Sequence, residues 1–105
     1  MDAIAKYYVY ILACENGAYY TGYTSDLTRR YQAHCQGTAN CKFTRSFKPL
    51  YIAQSWQIDG TKGHAMKIES FIKKLPRDRK TQLIQTPTLL VELFPTIAHH
   101  GKEIS

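Results

Sequence analysis

Asn16-Gly17 stands between two runs of β-branched and aromatic residues, and no other feature of the chain restricts its fold as tightly. Tyr8-Val9-Tyr10-Ile11-Leu12 reads as a strand, because such side chains fit a pleated surface. Asn-Gly tolerates the positive φ of a tight hairpin. Ala18 to Gly22 then returns as the second strand. Side chains alternate between the two faces of a strand, so the plain reading of Tyr8, Tyr10, Tyr19 and Tyr20 is that one tyrosine on each strand is core.

Downstream, Ser25 or Asp26 is placed to cap a helix that runs to about Cys35, its side-chain oxygen accepting a free backbone N–H. Gly37 to Lys48 lacks periodicity and reads as a loop. Pro49 opens a third strand, Leu50 to Trp56, which ends near Asp59-Gly60. A second helix is expected over about Lys62 to Leu75. Pro76 suits the first turn of a third helix ending near Gln85, since its missing N–H would be unpaired there anyway. Leu89 to Phe94 reads as a short strand or packed extended segment, and His99 to Ser105 as a loose tail. The expectation is a single domain over residues 1–94 with a flexible tail over 95–105. Its fold class is α/β (α+β), a small three-stranded, mainly antiparallel sheet flanked by helices in the order β-β-α-β-α-α.

The chain has 105 residues, which suffices for one modest core. No apolar run approaches the roughly 20 residues of a membrane span, and the N-terminus lacks the pattern of a signal peptide. Cys14, Cys35 and Cys41 are odd in number and include no Cys-x-x-Cys pair, which fits a reducing, cytoplasmic setting. The formal net charge is +6, a bias towards a polyanionic partner. Between Lys42 and Lys80, ten cations face three acids, a net of +7, so the rest of the chain is close to neutral. A solvated helix face would show the same run.

Helical spacing sorts the polar residues. Leu27 and Tyr31 anchor the first helix. Arg30 and His34 lie three and seven positions after Leu27 and share its face, whereas Arg29 points to solvent. In the second helix Ala65, Ile68, Ile72 and Leu75 form the buried stripe, and at about 100° per residue Glu69 sits on its margin. A carboxylate there needs a partner. One candidate is Lys73, four residues on. The other is a hard divalent cation such as Mg²⁺, which takes one or two carboxylates together with waters and phosphate oxygens. The remaining acids fall in turns, near helix starts, at the termini or, for Glu92, in a short apolar segment. Zinc is not expected: His34, Cys35 and Cys41 lack a clear fourth ligand.

Tyr8-Val9-Tyr10, Tyr20-Thr21-Gly22, TSDLTRRYQAH and AMKIESFIKKLPRDRKTQLI, in that order, resemble the signatures of the GIY-YIG nuclease family, in particular its small standalone bacterial members. Each tripeptide is weak alone, but four matched elements in sequence are specific. The resemblance implies a catalytic set of Tyr10, Tyr20, Arg30, His34 and Glu69. Glu69 would hold a single Mg²⁺ (or Mn²⁺), Arg30 would pair with phosphate oxygens and Tyr20 would act as general base with Tyr10 beside it. Cationic neighbours would have to lower the tyrosine pKa. His34 would orient a tyrosine or shuttle a proton. Where some members carry a lysine after the second signature, this chain has Tyr23. The implied activity is endonucleolytic hydrolysis of nucleic acid, DNA first, by a monomer with no membrane partner. Arg29, Lys42, Arg45, Lys67, Lys73 and Lys74 are the candidate backbone-binding cations. A non-catalytic nucleic-acid-binding module on the same fold is the alternative, and a protein-interaction module a more distant one.

Overall fold

Strand β1 (Ala5–Cys14) is the strand on which the other elements are laid. The computed structural model describes residues 5–39 and 41–101. β1 pairs antiparallel with β2 (Tyr19–Thr24) on one side and with β3 (Pro49–Gly60) on the other. β3 in turn pairs antiparallel with β4 (Ile97–Gly101), so the sheet order is β2-β1-β3-β4. Helices α1 (Leu27–Gln36), α2 (Lys42–Ser46), α3 (Lys62–Lys73), α4 (Arg77–Gln85) and α5 (Thr88–Leu93) complete the α+β fold.

The hairpin uses its glycine and not its asparagine for the unusual backbone. Gly17 has φ +80, and no non-glycine residue among those described has positive φ. Asn16 contributes its side chain instead, Oδ1 accepting from the Ala18 amide at 3.1 Å. The Gly17 amide bonds the Cys14 carbonyl at 2.9 Å and closes the turn.

Strand alternation divides β1 between two cores. Val9, Ile11 and Ala13 face a layer that includes Trp56, Ile58, Ala65, Ile68, Ile72, Leu83, Leu90 and Ile97. Tyr10, Leu12 and Cys14 face Leu27 and Ile52, with Tyr20, Tyr31 and Phe43 packed alongside. Helices α3, α4 and α5 therefore cover one face and α1 and α2 the other. Both faces being covered, β1 is a continuous buried run from Val9 to Cys14. Two polar ties hold the helical layer to β3: Gln54 Nε2 donates to the Ile84 carbonyl at 3.0 Å, and Trp56 Nε1 donates to the Pro87 carbonyl at 3.1 Å.

Helix α1 carries the cap expected of it. Asp26 accepts from the Arg29 amide at 3.1 Å, and Gly37, at φ 74, closes α1. In α3, Thr61 and His64 cap each other reciprocally, which gives His64 a structural role.

Four expectations are corrected. The sheet has four strands, not three. The tail expected over 95–105 is a strand from Ile97 to Gly101, because Ile97 is buried and the edge of β3 has backbone groups to pair; residues 102–105 lie outside those described. The stretch read as a loop over Gly37 to Lys48 contains α2, a single turn too short to show periodicity, held by fully buried Thr44. Leu89 to Phe94, read as extended, is largely α5. A helix puts Leu90 and Phe94 on one side and leaves Glu92 exposed, whereas strand alternation would have buried Glu92 with them.

Gly17→Ala is expected to lower stability by about 1–2 kcal/mol, the cost of left-handed backbone for a residue with a Cβ. Open space surrounds that position, so the loss is conformational and has no steric part. Urea unfolding of the two proteins measures it.

Candidate active site

Tyr10 and Gly22 are cross-strand partners on β1 and β2. The Tyr10 ring lies across the bare Gly22 backbone, and a Cβ there would overlap the Tyr10 hydroxyl. The absence of a side chain at Gly22 thus decides where that hydroxyl sits. It meets His34, in the last turn of α1, with Tyr10 Oη and His34 Nε2 2.9 Å apart. On the far side of the ring, His34 Nδ1 lies 2.8 Å from Thr44 Oγ1.

The two contacts admit either tautomer of a neutral ring. With the proton on Nδ1, Thr44 Oγ1 accepts from the ring and the Tyr10 hydroxyl donates to Nε2; with the proton on Nε2, the ring donates to Tyr10 Oη and the Thr44 hydroxyl donates to Nδ1. Burial, helped by the Arg30 guanidinium, pulls the His34 pKa below its ordinary value, in keeping with a neutral ring. The Tyr20 ring completes the cluster, 5.2 Å from His34 and 6.5 Å from Tyr10 between centroids.

Burial pushes both tyrosines above the ordinary phenol range. For Tyr10, Arg30 opposes part of that rise. For Tyr20 a hydrogen bond to Cys41 adds to it. The Arg30 charge acts on Tyr10 and is not among the influences on Tyr20. Burial also raises the Cys41 thiol, but hydrogen bonds from the Tyr20 hydroxyl, the Thr44 amide and hydroxyl and the Phe43 amide outweigh it and leave the thiol below its ordinary value.

Tyr10, Tyr20, Arg30 and Glu69 line one cavity of about 440 Å³. Arg30 comes from α1 and Glu69 from α3, helices on opposite faces of the sheet, and the two meet around edge strand β2. His34 does not line the cavity; it is fully buried behind Tyr10. Glu69 pairs with Lys73 at 3.6 Å, so the alternative partner foreseen four residues on is present. Lys73 is half exposed and such pairs are weak. Among the described residues no group of three or more His, Cys, Asp or Glu side chains could hold a metal. The donor set at the cavity is one carboxylate among tyrosine hydroxyls. It fits a hard cation that keeps most of its waters and does not fit zinc.

None of Arg29, Lys42, Arg45, Lys67, Lys73 and Lys74 lines this cavity. All six are exposed, but the helices distribute them. Arg29 lies on α1, Lys42 and Arg45 on α2, and Lys67 and Lys74 on the flank of α3 away from Glu69. Those two lysines border a separate apolar groove with Phe71, Leu75 and Phe94. The second cation of the cavity is Lys62, joined by Tyr7, Tyr23, Thr24 and Ser25. Lys62 precedes Glu69 by seven residues, two helical turns, and that spacing is the signal in the sequence that could have placed it. Tyr23, which stands where some family members carry a lysine, therefore shares the cavity with a lysine from α3. Thr44 left no signal, because nothing local marks it as the partner of a histidine ten residues earlier.

With this geometry the class of protein is an α+β domain of the GIY-YIG kind, and residues 6–82 match the model of the GIY-YIG catalytic domain. The chain belongs to the GIY-YIG family. It is 40% identical over 85 residues to the UPF0213 protein XAC3202 of Xanthomonas axonopodis pv. citri, covering 81% of each chain. It is 41% identical over 79 residues to the UPF0213 protein BH0048 of Halalkalibacterium halodurans, covering 75% of this chain and 82% of that one. The solution NMR structure of the UPF0213 protein BH0048 from Bacillus halodurans is similar at 36% identity and TM-score 0.49, over 87% of this chain and 98% of that one.

A histidine held neutral in the fold binds fewer protons than its unfolded counterpart below the ordinary value of 6.5. Stability from His34 is therefore complete above that pH and declines as the pH falls through it towards the lower folded value. The melting temperature is expected to drop between pH 7 and pH 5, and His34→Gln to flatten that slope. Thermal melts of both proteins across the range provide the check.

Proposed function

We propose that this chain is a divalent-metal-dependent endonuclease that hydrolyses phosphodiester bonds in DNA. The observation that carries the reading is the convergence of Tyr10, Tyr20, Arg30 and Glu69 on one cavity, with neutral His34 behind Tyr10. Arg30 presents a rigid fork of donors to the phosphate oxygens, and the Lys62 ammonium adds a second charge at the same cavity. Tyr10 and not Tyr20 is the better-placed base. With the His34 proton on Nδ1, the Tyr10 hydroxyl donates to His34 Nε2, and an attacking water can pass a proton to Tyr10 Oη as the Tyr10 proton moves onto the imidazole. Thr44 Oγ1 holds the other ring nitrogen and steadies the imidazolium that forms. Because tyrosinate never accumulates, the raised pKa of Tyr10 is no obstacle. Glu69 is the residue that would hold Mg²⁺ or Mn²⁺. When bound, such an ion supplies Lewis acidity for the scissile phosphate and the leaving oxygen. A monomer in the cytoplasm acting on DNA is the setting that goes with this reading. The Glu69–Lys73 pair favours a second reading, a binding module without turnover, in which Lys73 occupies the carboxylate permanently.

Single-turnover cleavage of a DNA panel with Mg²⁺, Mn²⁺ and EDTA separates the two readings. Glu69→Gln and Arg30→Ala are each expected to slow cleavage about 10²-fold or more, as losing one preorganised charge contact does. Arg29→Ala should stay within a few-fold of the parent, since its side chain is exposed and outside the cavity. Melting curves should be alike. If the parent cuts and Glu69→Gln cuts equally fast, the metal assignment fails. If the parent cuts nothing with either metal, the binding module stands.

Exposed cations on three helices also predict salt-sensitive affinity for nucleic acid of any sequence, because phosphate contacts release counterions. A titration at several salt concentrations should give a falling line of log affinity against log salt; a flat line would count against backbone contacts.

A further inference from the structure

The aromatic side chains do not stop at the cavity wall. Phe43 stacks on Tyr20 with centroids 6.0 Å apart and planes 22° apart. Phe47 follows, 5.3 Å from Phe43. Burial falls along the run. Tyr10 is 1% exposed, Tyr20 and Phe43 are intermediate, and Phe47, at the end of α2, is 39% exposed. A line of rings therefore leads from the cavity to the surface and ends in an uncovered phenyl group. Its surroundings are basic. Lys42, Arg45 and Lys48 are exposed beside it, against one acid, Glu15, whose carboxylate accepts from the Lys48 amide at 3.0 Å.

We infer that Phe47 and the basic side chains of α2 form a stacking platform for an unpaired nucleotide of the substrate. The inference rests on the nucleic-acid reading above and adds a preference to it. An exposed ring flanked by cations suits a base with a free π-face and a phosphate on either side. Bases inside continuous duplex have both faces covered by neighbours, so the ring gains nothing from them. The platform therefore favours DNA with a single-stranded segment next to the cavity, such as a flap or frayed end, over uninterrupted duplex. An apolar protein surface is the competing occupant, but exposed Lys42, Arg45 and Lys48 next to the ring match a polyanion better.

The test is binding of the full chain in EDTA, where cleavage is suppressed, to one labelled strand presented either as continuous duplex or as a duplex with a single-stranded flap. The parent should bind the flap more tightly. Phe47→Ala should weaken flap binding about tenfold, as loss of one base–aromatic stack does, and change duplex binding less than twofold. Phe47→Tyr keeps the ring and should keep the preference. Phe47→Trp adds a surface reporter beside buried Trp56, and its fluorescence should be quenched by the flap and not by the duplex. Equal losses on both DNAs, or no loss on either, overturn the platform, as does an unquenched reporter. Cleavage with Mg²⁺ is read separately. A parent that cuts while Phe47→Ala binds both DNAs normally sinks the platform alone. A parent that cuts nothing while the Phe47 dependence holds sinks only the nuclease reading.

Discussion

Everything in this fold is referred to one strand whose two faces are both buried. From Val9 to Cys14 β1 has no solvent side, so each of those residues is committed to one layer or the other. That commitment carries Tyr10 towards α1 and sends Val9 and Ile11 towards α3. The candidate site exists because the two layers come together at one place, around edge strand β2. Arg30 and Glu69 are brought within one cavity from opposite sides of the sheet. Were β2 wider in side chain at Gly22, the Tyr10 hydroxyl could not lie where it does.

Much of this was legible in the sequence, for reasons that differ by element. The hairpin, α1, α3 and α4 carry local signals: Asn-Gly, Asp26 as cap, an apolar stripe, and Pro76 just before the first turn. Those signals act within a few residues, so reading them needs no knowledge of the rest of the chain. Tyr10, Tyr20, Arg30 and Glu69 were legible as a set because the family's order of motifs places them. α2, α5 and β4 were misread because nothing local determines them. α2 is one turn long and depends on the bond between Thr44 and His34. α5 turns on whether Leu90 is better paired with Phe94 or with Glu92. β4 depends on the open edge of β3, which lies about forty residues earlier in the chain.

The basic residues show the same limit from another direction. Composition counts charges but does not say which way they point. Within α3, Lys62 opens on the cavity, Lys73 neutralises Glu69, and Lys67 and Lys74 border a groove on the opposite flank. A helical wheel separates these roles once the buried stripe is fixed. The hydrogen-bond chain from Tyr10 through His34 to Thr44 has no such shortcut, since its third member comes from a segment without pattern.

The pairing of β4 with β3 also bears on how the molecule comes into being. Synthesis delivers β1, β2 and β3 well before residues 97–101, so for a time the nascent sheet ends in β3, a strand of twelve residues with unpaired amides and carbonyls. Such an edge is a template for joining another chain. β4 emerges later and covers that edge from Ser55 to Ile58, so the interval before its arrival leaves those backbone groups open to pairing with a neighbouring copy on a polysome.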